Sequence, residues 1–319
     1  MKPFRMLLTF ALVVVCLGTQ QRPTSADVPI EPTYRGKTLR EWKDLATAND
    51  PALRIQAGRA LEIITESLKN KDSEVRRAGA DALGSIGPKA KTAVPALTEL
   101  LKDKNEQVRW SAAVTLGKMG PEAKTAVPAL TEALRDKSVL VPSVAALALG
   151  KIGSEAKTAV PALTALLRDK TAGTASAEAL GKIGPEARTA IPTIKEFLQD
   201  KDWKVRYAAA LALLNMRCEV ERAVEVLTEL AKDKDRLVRQ RALVCLAHFV
   251  PEPKAAVPAF TEAIKDEIWN TRRYAANVLG KIGPEAKAAI PALTELLKDE
   301  QQEVRQAARD ALEKIKKGK

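Results

Sequence analysis

Apolar and polar positions along the chain follow a pattern that repeats about every 33 residues. The clearest marker is a proline near the start of an apolar segment, as in AVPALTELL and AVPALTEAL. These prolines lie 33, 33, 31, 66 and 33 residues apart, and 66 is two periods: Pro95, Pro128, Pro161, Pro192, Pro258 and Pro291. A fixed period of this length is typical of a solenoid, in which each unit buries its apolar face against its neighbours.

Within one repeat the pattern predicts two helices, A and B. In residues 104–136, Asn105 is placed to cap helix A, and apolar residues from Val108 to Met119 recur at helical spacing. Gly120 then ends helix A, and helix B follows with its proline in the first turn. Aromatic residues make up only 4% of the chain, and no hairpin dipeptides indicate strands. We therefore predict an all-α fold, a right-handed α-solenoid of about nine stacked layers of helices.

A second periodic feature is an aspartate followed six residues later by an arginine. Because arginine forms directed bonds to carboxylate and backbone oxygens, we expect this pair to join the end of each helix B to the next helix A. A catalytic or ligand-binding role for these arginines is the alternative. The predicted inter-repeat residues are Asp103, Arg109, Asp200, Arg206, Asp233, Arg239, Asp266, Arg272, Asp299 and Arg305.

The first residues indicate export from the cytoplasm. Lys2 and Arg5 precede an apolar run at residues 6–17, and a segment of small residues ends at Ala26. This order is typical of a secretory signal peptide, and the run is short for a transmembrane helix. A buried N-terminal helix is the alternative.

We therefore predict a signal peptide at residues 1–26, a linker at 27–37 and the solenoid at 38–319. Cleavage would remove three basic residues and no acidic ones, and would lower the net charge from +12 to +9. The mature protein is expected in the periplasm, in the cell envelope or secreted, as a monomer without a stable membrane span. Its moderate positive charge permits binding to a polyanion without requiring it.

Few residues are available for catalysis or metal binding. His248 is the only histidine, and no CxxC motif or phosphate-binding glycine loop occurs. The sequence thus predicts no catalytic residues, no metal and no cofactor. Cys218 and Cys245 remain after cleavage; Cys245 falls at a position that holds alanine or valine in other repeats, and a disulfide between the two stays open.

The motif DxxxxxVRxxAAxALGKIGPEAKTAVPALTELLKD resembles the HEAT-like repeat of the phycobilisome-lyase type, over roughly residues 50–316. The N-terminal signal together with YRGKTLREW is similar to exported HEAT-repeat proteins of planctomycete-like bacteria. The resemblance implies a HEAT/armadillo-like superhelix. Bilin lyases and deoxyhypusine hydroxylases also use such repeats, but the hydroxylases need paired His-Glu motifs, which this chain lacks. A non-catalytic scaffold for an unidentified protein partner is therefore the favoured function, and a polyanion binder or a lyase-like or hydroxylase-like enzyme is the alternative.

Two polar rows are candidate binding surfaces. The resemblance implies that B helices line the concave side, where a Thr-Glu pair recurs; an ordinary solvated surface is the alternative. The candidate partner-binding residues are Thr98, Glu99, Thr131, Glu132, Glu196, Thr228, Glu229, Thr261, Glu262, Thr294 and Glu295. A basic row precedes helix B and could bind anions near helix N-termini. It comprises Lys91, Lys124, Lys157, Arg188, Lys254 and Lys287.

The repeat is irregular in two places along its length. At residues 137–176, Pro142 and Gly173 stand at or near the arginine position, and one unit is two residues short. Farther along, Arg217 and Val250 replace the glycine that ends helix A. We consider a bend or docking point at 137–176, with neutral drift of the repeat as the alternative.

Overall fold

The computed structural model of the protein describes residues 33–47, 54–249 and 252–317. The predicted signal peptide lies outside the described residues, so it stays a prediction. Part of the predicted linker is ordered instead as a small antiparallel hairpin, in which β1 (Thr33–Tyr34) pairs with β2 (Lys37–Thr38). The first helix, α1, follows at Leu39–Thr47.

A reciprocal cap fixes the start of α1. The Glu41 carboxylate accepts a hydrogen bond from the Thr38 backbone N–H at 2.7 Å, and the Thr38 hydroxyl accepts one from the Glu41 N–H at 3.2 Å. This is the capping-box arrangement, which satisfies two N–H groups that have no partner inside the helix.

Sixteen further helices follow α1 in the described part of the chain, and they alternate between long and short. After α2 (Arg54–Ser67), the long A helices are α3 (Ser73–Ile86), α5 (Glu106–Met119), α7 (Val141–Ile152), α9 (Gly173–Ile183), α11 (Trp203–Asn215), α13 (Arg236–Phe249), α15 (Trp269–Ile282) and α17 (Gln302–Lys317). The B helices are α4 (Val94–Leu100), α6 (Val127–Ala133), α8 (Val160–Leu166), α10 (Ile191–Phe197), α12 (Val220–Leu230), α14 (Val257–Ala263) and α16 (Ile290–Glu295). The fold is thus an all-α solenoid of stacked helices.

The layer formed by α5 and α6 shows how the sequence produces one unit. The Asn105 side chain accepts a hydrogen bond from the Gln107 N–H at 2.8 Å and caps α5. Apolar side chains along α5, from Val108 to Met119, are fully buried. Gly120 ends the helix at φ 62°, a left-handed value that glycine adopts without a Cβ clash. A 3₁₀ segment at Gly120–Ala126 then leads into α6.

Neighbouring A helices lie in backbone contact. A methyl group built on Gly117 of α5 would stand 3.0 Å from the Cα of Ala148 on α7, and one on Gly150 would stand 2.7 Å from the Cα of Ala179 on α9. B helices mainly contact the 3₁₀ segment of the following layer rather than the next B helix. The layers are therefore closer together along their A helices than along their B helices.

The packing of α13 departs from this rule. Its backbone comes close to α11 and α15 over far less of its length than any other pair of successive A helices. By contrast, α7 and α9 in the irregular segment 137–176 pack as closely as regular layers do. The stack is thus opened around α13 rather than at the segment where the sequence placed a possible bend.

None of the helices in the described ranges is both long and apolar enough to cross a bilayer.

Candidate functional site

The ladder arginines bridge two layers, and Arg109 shows the geometry. Its Nε and Nη2 donate to the two carboxylate oxygens of Asp136 at 2.7 and 2.8 Å. Its Nη1 donates to the backbone carbonyl of Asp103 at 2.8 Å. The side chains of Arg109 and Asp136 are only 6% and 12% exposed. Because Asp103 follows α4 and Asp136 follows α6, one guanidinium ties the ends of two successive B helices to α5.

The sequence-based pairing therefore needs a correction. It joined each arginine to the aspartate six residues earlier, but that aspartate supplies only its backbone carbonyl, and the carboxylate comes from the aspartate 27 residues later. The bidentate pairs are Arg76–Asp103, Arg109–Asp136, Arg239–Asp266 and Arg272–Asp299. The earlier carboxylate is instead turned toward its own loop, as in Asp103, which accepts the Asn105 N–H at 2.8 Å.

The predicted pair Arg206 and Asp200 follows the same correction. Arg206 donates to the backbone carbonyls of Asp200 and Lys201 at 2.7 and 3.1 Å. The Asp200 carboxylate accepts the Asp202 N–H and lies 3.7 Å from the exposed Arg168. Arg305, near the end of the chain, likewise donates to the backbone carbonyl of Asp299.

The ladder is interrupted in the middle of the stack. Pro142 and Gly173 replace two of its arginines, so Asp169 accepts the N–H groups of Thr171 and Ala172 instead. Bidentate pairs thus occur in the first and last layers of the described stack and are missing from the layers of α7 and α9.

The ion pairs change the acidity of their members. At Asp299 the hydrogen bond from Arg272 is the main cause of a pKa below the ordinary value. At Asp136 burial raises the pKa, but the hydrogen bonds from Arg109 and from the Ser138 N–H outweigh it, and the pKa is lowered. A lowered carboxyl pKa means that the folded state favours the charged form. This chemistry stabilises the stack and offers no proton donor or acceptor for catalysis near neutral pH.

The predicted partner-binding surface of the B helices is exposed at its glutamates, but its threonines are engaged. The hydroxyls of Thr98, Thr131, Thr261 and Thr294 each donate at 2.8 Å to the backbone carbonyl four residues earlier in the same helix. Their protons are therefore used internally, and the prediction narrows to the glutamates. Glu132, for example, lies 3.6 Å from Lys102 beside an open groove of about 430 Å³.

The basic row before the B helices is mixed with acidic groups. Exposed glutamates stand two residues before several of its members, as Glu122 does before Lys124. Lys91 lies 3.5 Å from Glu122, and Lys254 lies 3.2 Å from Glu252. Because these carboxylates offset the positive charge locally, the row presents no continuous cationic track of the kind that favours polyanions.

The structure draws attention to a surface that the sequence reasoning missed, which we call the A face. It consists of the residues one and five positions after the ladder-arginine position of each A helix. Its central members are Trp110, Val114, Ser143, Leu147, Thr174, Glu178, Tyr207, Leu211, Gln240, Val244, Arg273 and Asn277. Because closer spacing on one side bends a stack toward that side, we assign the A face to the inner side. This differs from the expectation that the B helices line the concave side.

Exposed apolar side chains are concentrated at the A helices. Among the described residues, the large apolar side chains that remain exposed are Val139 at 66%, Leu140 at 52%, Leu237 at 51% and Val244 at 39%. The first two lie immediately before and at the N-cap of α7, and the other two lie on α13. The signal in the sequence was the replacement of polar residues by Leu and Val at the starts of these two helices.

The cysteines and the histidine are not grouped with other reactive side chains. Cys245 is buried and its thiol pKa is raised to about 12, mainly by burial. Cys218 is partly exposed, and no bond joins it to Cys245. His248 is exposed, and its Nδ1 lies 2.9 Å from the carbonyl of Val244. Within the described ranges no three His, Cys, Asp or Glu side chains converge as metal ligands.

Comparisons with known proteins place this geometry in a wider group. No curated protein matches the chain. Among solved structures, E. coli YibA shares 21% identity over 92% of this chain and 99% of its own, with a TM-score of 0.50. Yeast importin-β shares 14% identity over 87% of this chain, with a TM-score of 0.61, and the chain covers 46% of it. The complex of CpcE and CpcF of phycocyanin lyase from Nostoc sp. PCC7120 shares 29% identity over 79% of this chain and 97% of that chain, with a TM-score of 0.46.

The family comparison is decisive for the repeat. Four overlapping segments match the family described as HEAT repeats, at residues 62–139, 122–181, 174–247 and 224–313. Together they span most of the chain and nearly all of the described stack. The protein therefore belongs to the HEAT-repeat family.

Proposed function

We propose that the mature chain is an exported, non-catalytic scaffold that binds a protein partner on its A face. The observation that carries the proposal is the set of exposed apolar side chains at α7 and α13, held on helices whose backbones are fixed by tight stacking or ion pairs. Exposed apolar groups on a rigid surface are typical of protein-binding sites.

The non-catalytic part of the proposal rests on the inventory of side chains. The ionisable groups that are buried deepest belong to the arginine ladder, where each arginine is paired with a carboxylate. A charge pair repeated through the stack has a structural role in joining the layers. Metal analysis of the purified protein should find no stoichiometric iron or zinc, and one tightly bound transition metal per chain would contradict this part.

The export part of the proposal rests on the charged start, the apolar run at residues 6–17 and the small residues that end at Ala26. N-terminal sequencing of the protein from its native host should begin near Asp27. An intact Met1 on a cytoplasmic protein would refute export.

The binding part is tested by capturing partners from the native envelope fraction with the mature chain and three variants. The A-face variant carries Leu140→Gln and Leu237→Gln. The B-helix variant carries Glu132→Gln, Glu229→Gln and Glu262→Gln. The basic-row variant carries Lys124→Gln, Lys157→Gln and Lys254→Gln.

We expect the A-face variant to lose the partner while it keeps its helical circular dichroism, and the other two variants to retain it. Loss with the B-helix variant alone would place the partner on the predicted glutamate surface. Loss with the basic-row variant alone, together with competition by heparin, would support the polyanion alternative. Charge substitutions on a binding surface change the association rate more than the final affinity, so binding rates should be measured as well.

A further inference from the structure

A groove of about 420 Å³ lies between α13 and α15 and opens on the A face. Gln240 and Val244 of α13 form one wall, and Arg273 and Asn277 of α15 form the other. All four are A-face residues, and Thr271 and Tyr274 complete the floor and side.

The groove has a cause in the sequence. In regular layers a glycine of one A helix contacts an alanine of the next, as Gly117 contacts Ala148. At the equivalent glycine position α11 carries Leu214 and α13 carries Ala247. The equivalent of Ala148 on α15 is the larger Val278. Added side-chain volume at a backbone contact forces the helices apart, so α13 cannot approach α15 as the other A helices approach their neighbours.

Two buried hydroxyls beside the groove have no hydrogen-bond partner among the described residues, those of Thr271 and Tyr274. Thr271 is 4% exposed, and its position holds valine or alanine in the other A helices, for example Val238. The Tyr274 ring is fixed beside Phe260, at 6.3 Å between ring centroids. A buried hydroxyl without a partner costs free energy, so these two positions favour a ligand that supplies a hydrogen-bonding group.

The charge of the lining limits the chemistry of that ligand. Arg273 is the charged residue that lines the groove, and it is held over the Trp269 ring at 5.1 Å. The other polar groups of the lining are hydroxyls and amides, which donate hydrogen bonds as well as accept them. An anionic acceptor satisfies this set best, because hydrogen bonds to a charged acceptor are stronger than neutral ones. Val244, 39% exposed, adds an apolar wall beside these donors.

We propose that this groove binds an acidic and apolar peptide segment of the partner protein, with a carboxylate at Thr271, Tyr274 and Arg273 and an apolar side chain against Val244. The inference rests on the scaffold function proposed above and names the chemistry of one of its contacts. It also accounts for a hydroxyl at position 271, where the repeat otherwise needs only an apolar side chain.

The test uses two fluorescein-labelled, end-capped peptides, Leu-Asp-Leu-Asp-Leu and Leu-Asn-Leu-Asn-Leu, titrated with the mature chain and followed by fluorescence anisotropy. We expect the aspartate peptide to bind at least about tenfold more tightly than the asparagine peptide, which is the factor that one charge-assisted hydrogen bond supplies. Equal affinities, or no binding of the aspartate peptide at millimolar protein, would overturn the proposal.

Variants locate the binding. Thr271→Val should weaken the aspartate peptide about tenfold and at the same time raise the melting temperature of the free protein, because it removes a buried hydroxyl without a partner. Tyr274→Phe should act in the same direction. Arg273→Gln should weaken binding, whereas Arg77→Gln, which removes the same charge at the equivalent position of α3, should not.

Unchanged affinity in Thr271→Val and Tyr274→Phe would also overturn the groove assignment. That outcome is separate from failure of the scaffold function, because Leu140 and Leu237 lie outside the groove lining. The scaffold function fails only if the A-face variant keeps its partner.

Discussion

Replacing Arg109 by alanine tests whether the arginine ladder holds the layers together. The wild-type guanidinium makes two hydrogen bonds to the Asp136 carboxylate and one to the Asp103 carbonyl, all between 2.7 and 2.8 Å. Removing it leaves a carboxylate that is 12% exposed with only the Ser138 N–H as a partner, together with a carbonyl that has lost its donor.

The size of the effect follows from this burial. Exposed ion pairs contribute up to about 1 kcal/mol, but removal of one member of a buried pair costs about 3–5 kcal/mol because the other charge stays buried without its counter-ion. We therefore expect Arg109→Ala to lower the free energy of unfolding by about 3–5 kcal/mol. Asp136→Ala should cost a comparable amount, and the double variant should cost clearly less than the sum, with a coupling of about 2 kcal/mol or more.

The assay is urea unfolding followed by circular dichroism at 222 nm. The dependence of the free energy on urea must match between variants, because solenoids can lose two-state cooperativity. Arg206 provides the matched control, since its printed hydrogen bonds go to backbone carbonyls. A cycle of Arg206→Ala with Asp200→Ala should show coupling below about 0.5 kcal/mol. Coupling near zero between Arg109 and Asp136, or strong coupling between Arg206 and Asp200, would refute the assignment of partners.

Two further predictions concern acidity and helix spacing. Because the hydrogen bond from Arg272 lowers the pKa of Asp299, this pair contributes stability that is present above the ordinary carboxyl pKa of about 3.9 and is lost as pH falls through the lower folded value. Arg272→Met should thus make the decline in unfolding free energy shallower below about pH 4, and an unchanged slope would contradict the pairing. Gly117→Ala should destabilise the protein by about 1–3 kcal/mol, because its methyl group would meet the next A helix. Gly58→Ala, on a helix position with open space around it, should stabilise it by about 0.5–1 kcal/mol in the same urea assay.

The sequence was sufficient to predict the fold because the repeat combines several independent signals in each unit. The apolar stripe from Val108 to Met119 is buried as its spacing indicated, Asn105 caps its helix, and Gly120 ends it. Each of these features is set by residues within one helix or turn. Local spacing therefore contains the information that is needed to place them.

The partner of each ladder arginine depends on longer-range geometry. Arg109 has an aspartate six residues before it and another 27 residues after it, and either spacing repeats through the chain. The nearer carboxylate is unavailable because it caps its own loop through the Asn105 N–H, so the guanidinium reaches the carbonyl of that residue instead. Spacing alone does not tell which oxygen of an aspartate faces a neighbour, and this is why the pairing was assigned to the wrong carboxylate.

The opening around α13 shows how one repeat changes two interfaces. The replacements of the helix-ending glycine at Arg217 and Val250 were visible in the sequence, but the spacing of the A helices is decided elsewhere, at Leu214 and Ala247, where backbone contact requires glycine. Because every A helix inside the stack contacts both neighbours, enlarged side chains in two successive repeats separate α13 on both sides. A solenoid can in this way open one local groove while the layers beyond it keep their regular contacts, since each unit depends only on its neighbours. The hydroxyl of Thr271 lies at this opening, so the change in spacing and the change in polarity fall at the same place in the stack.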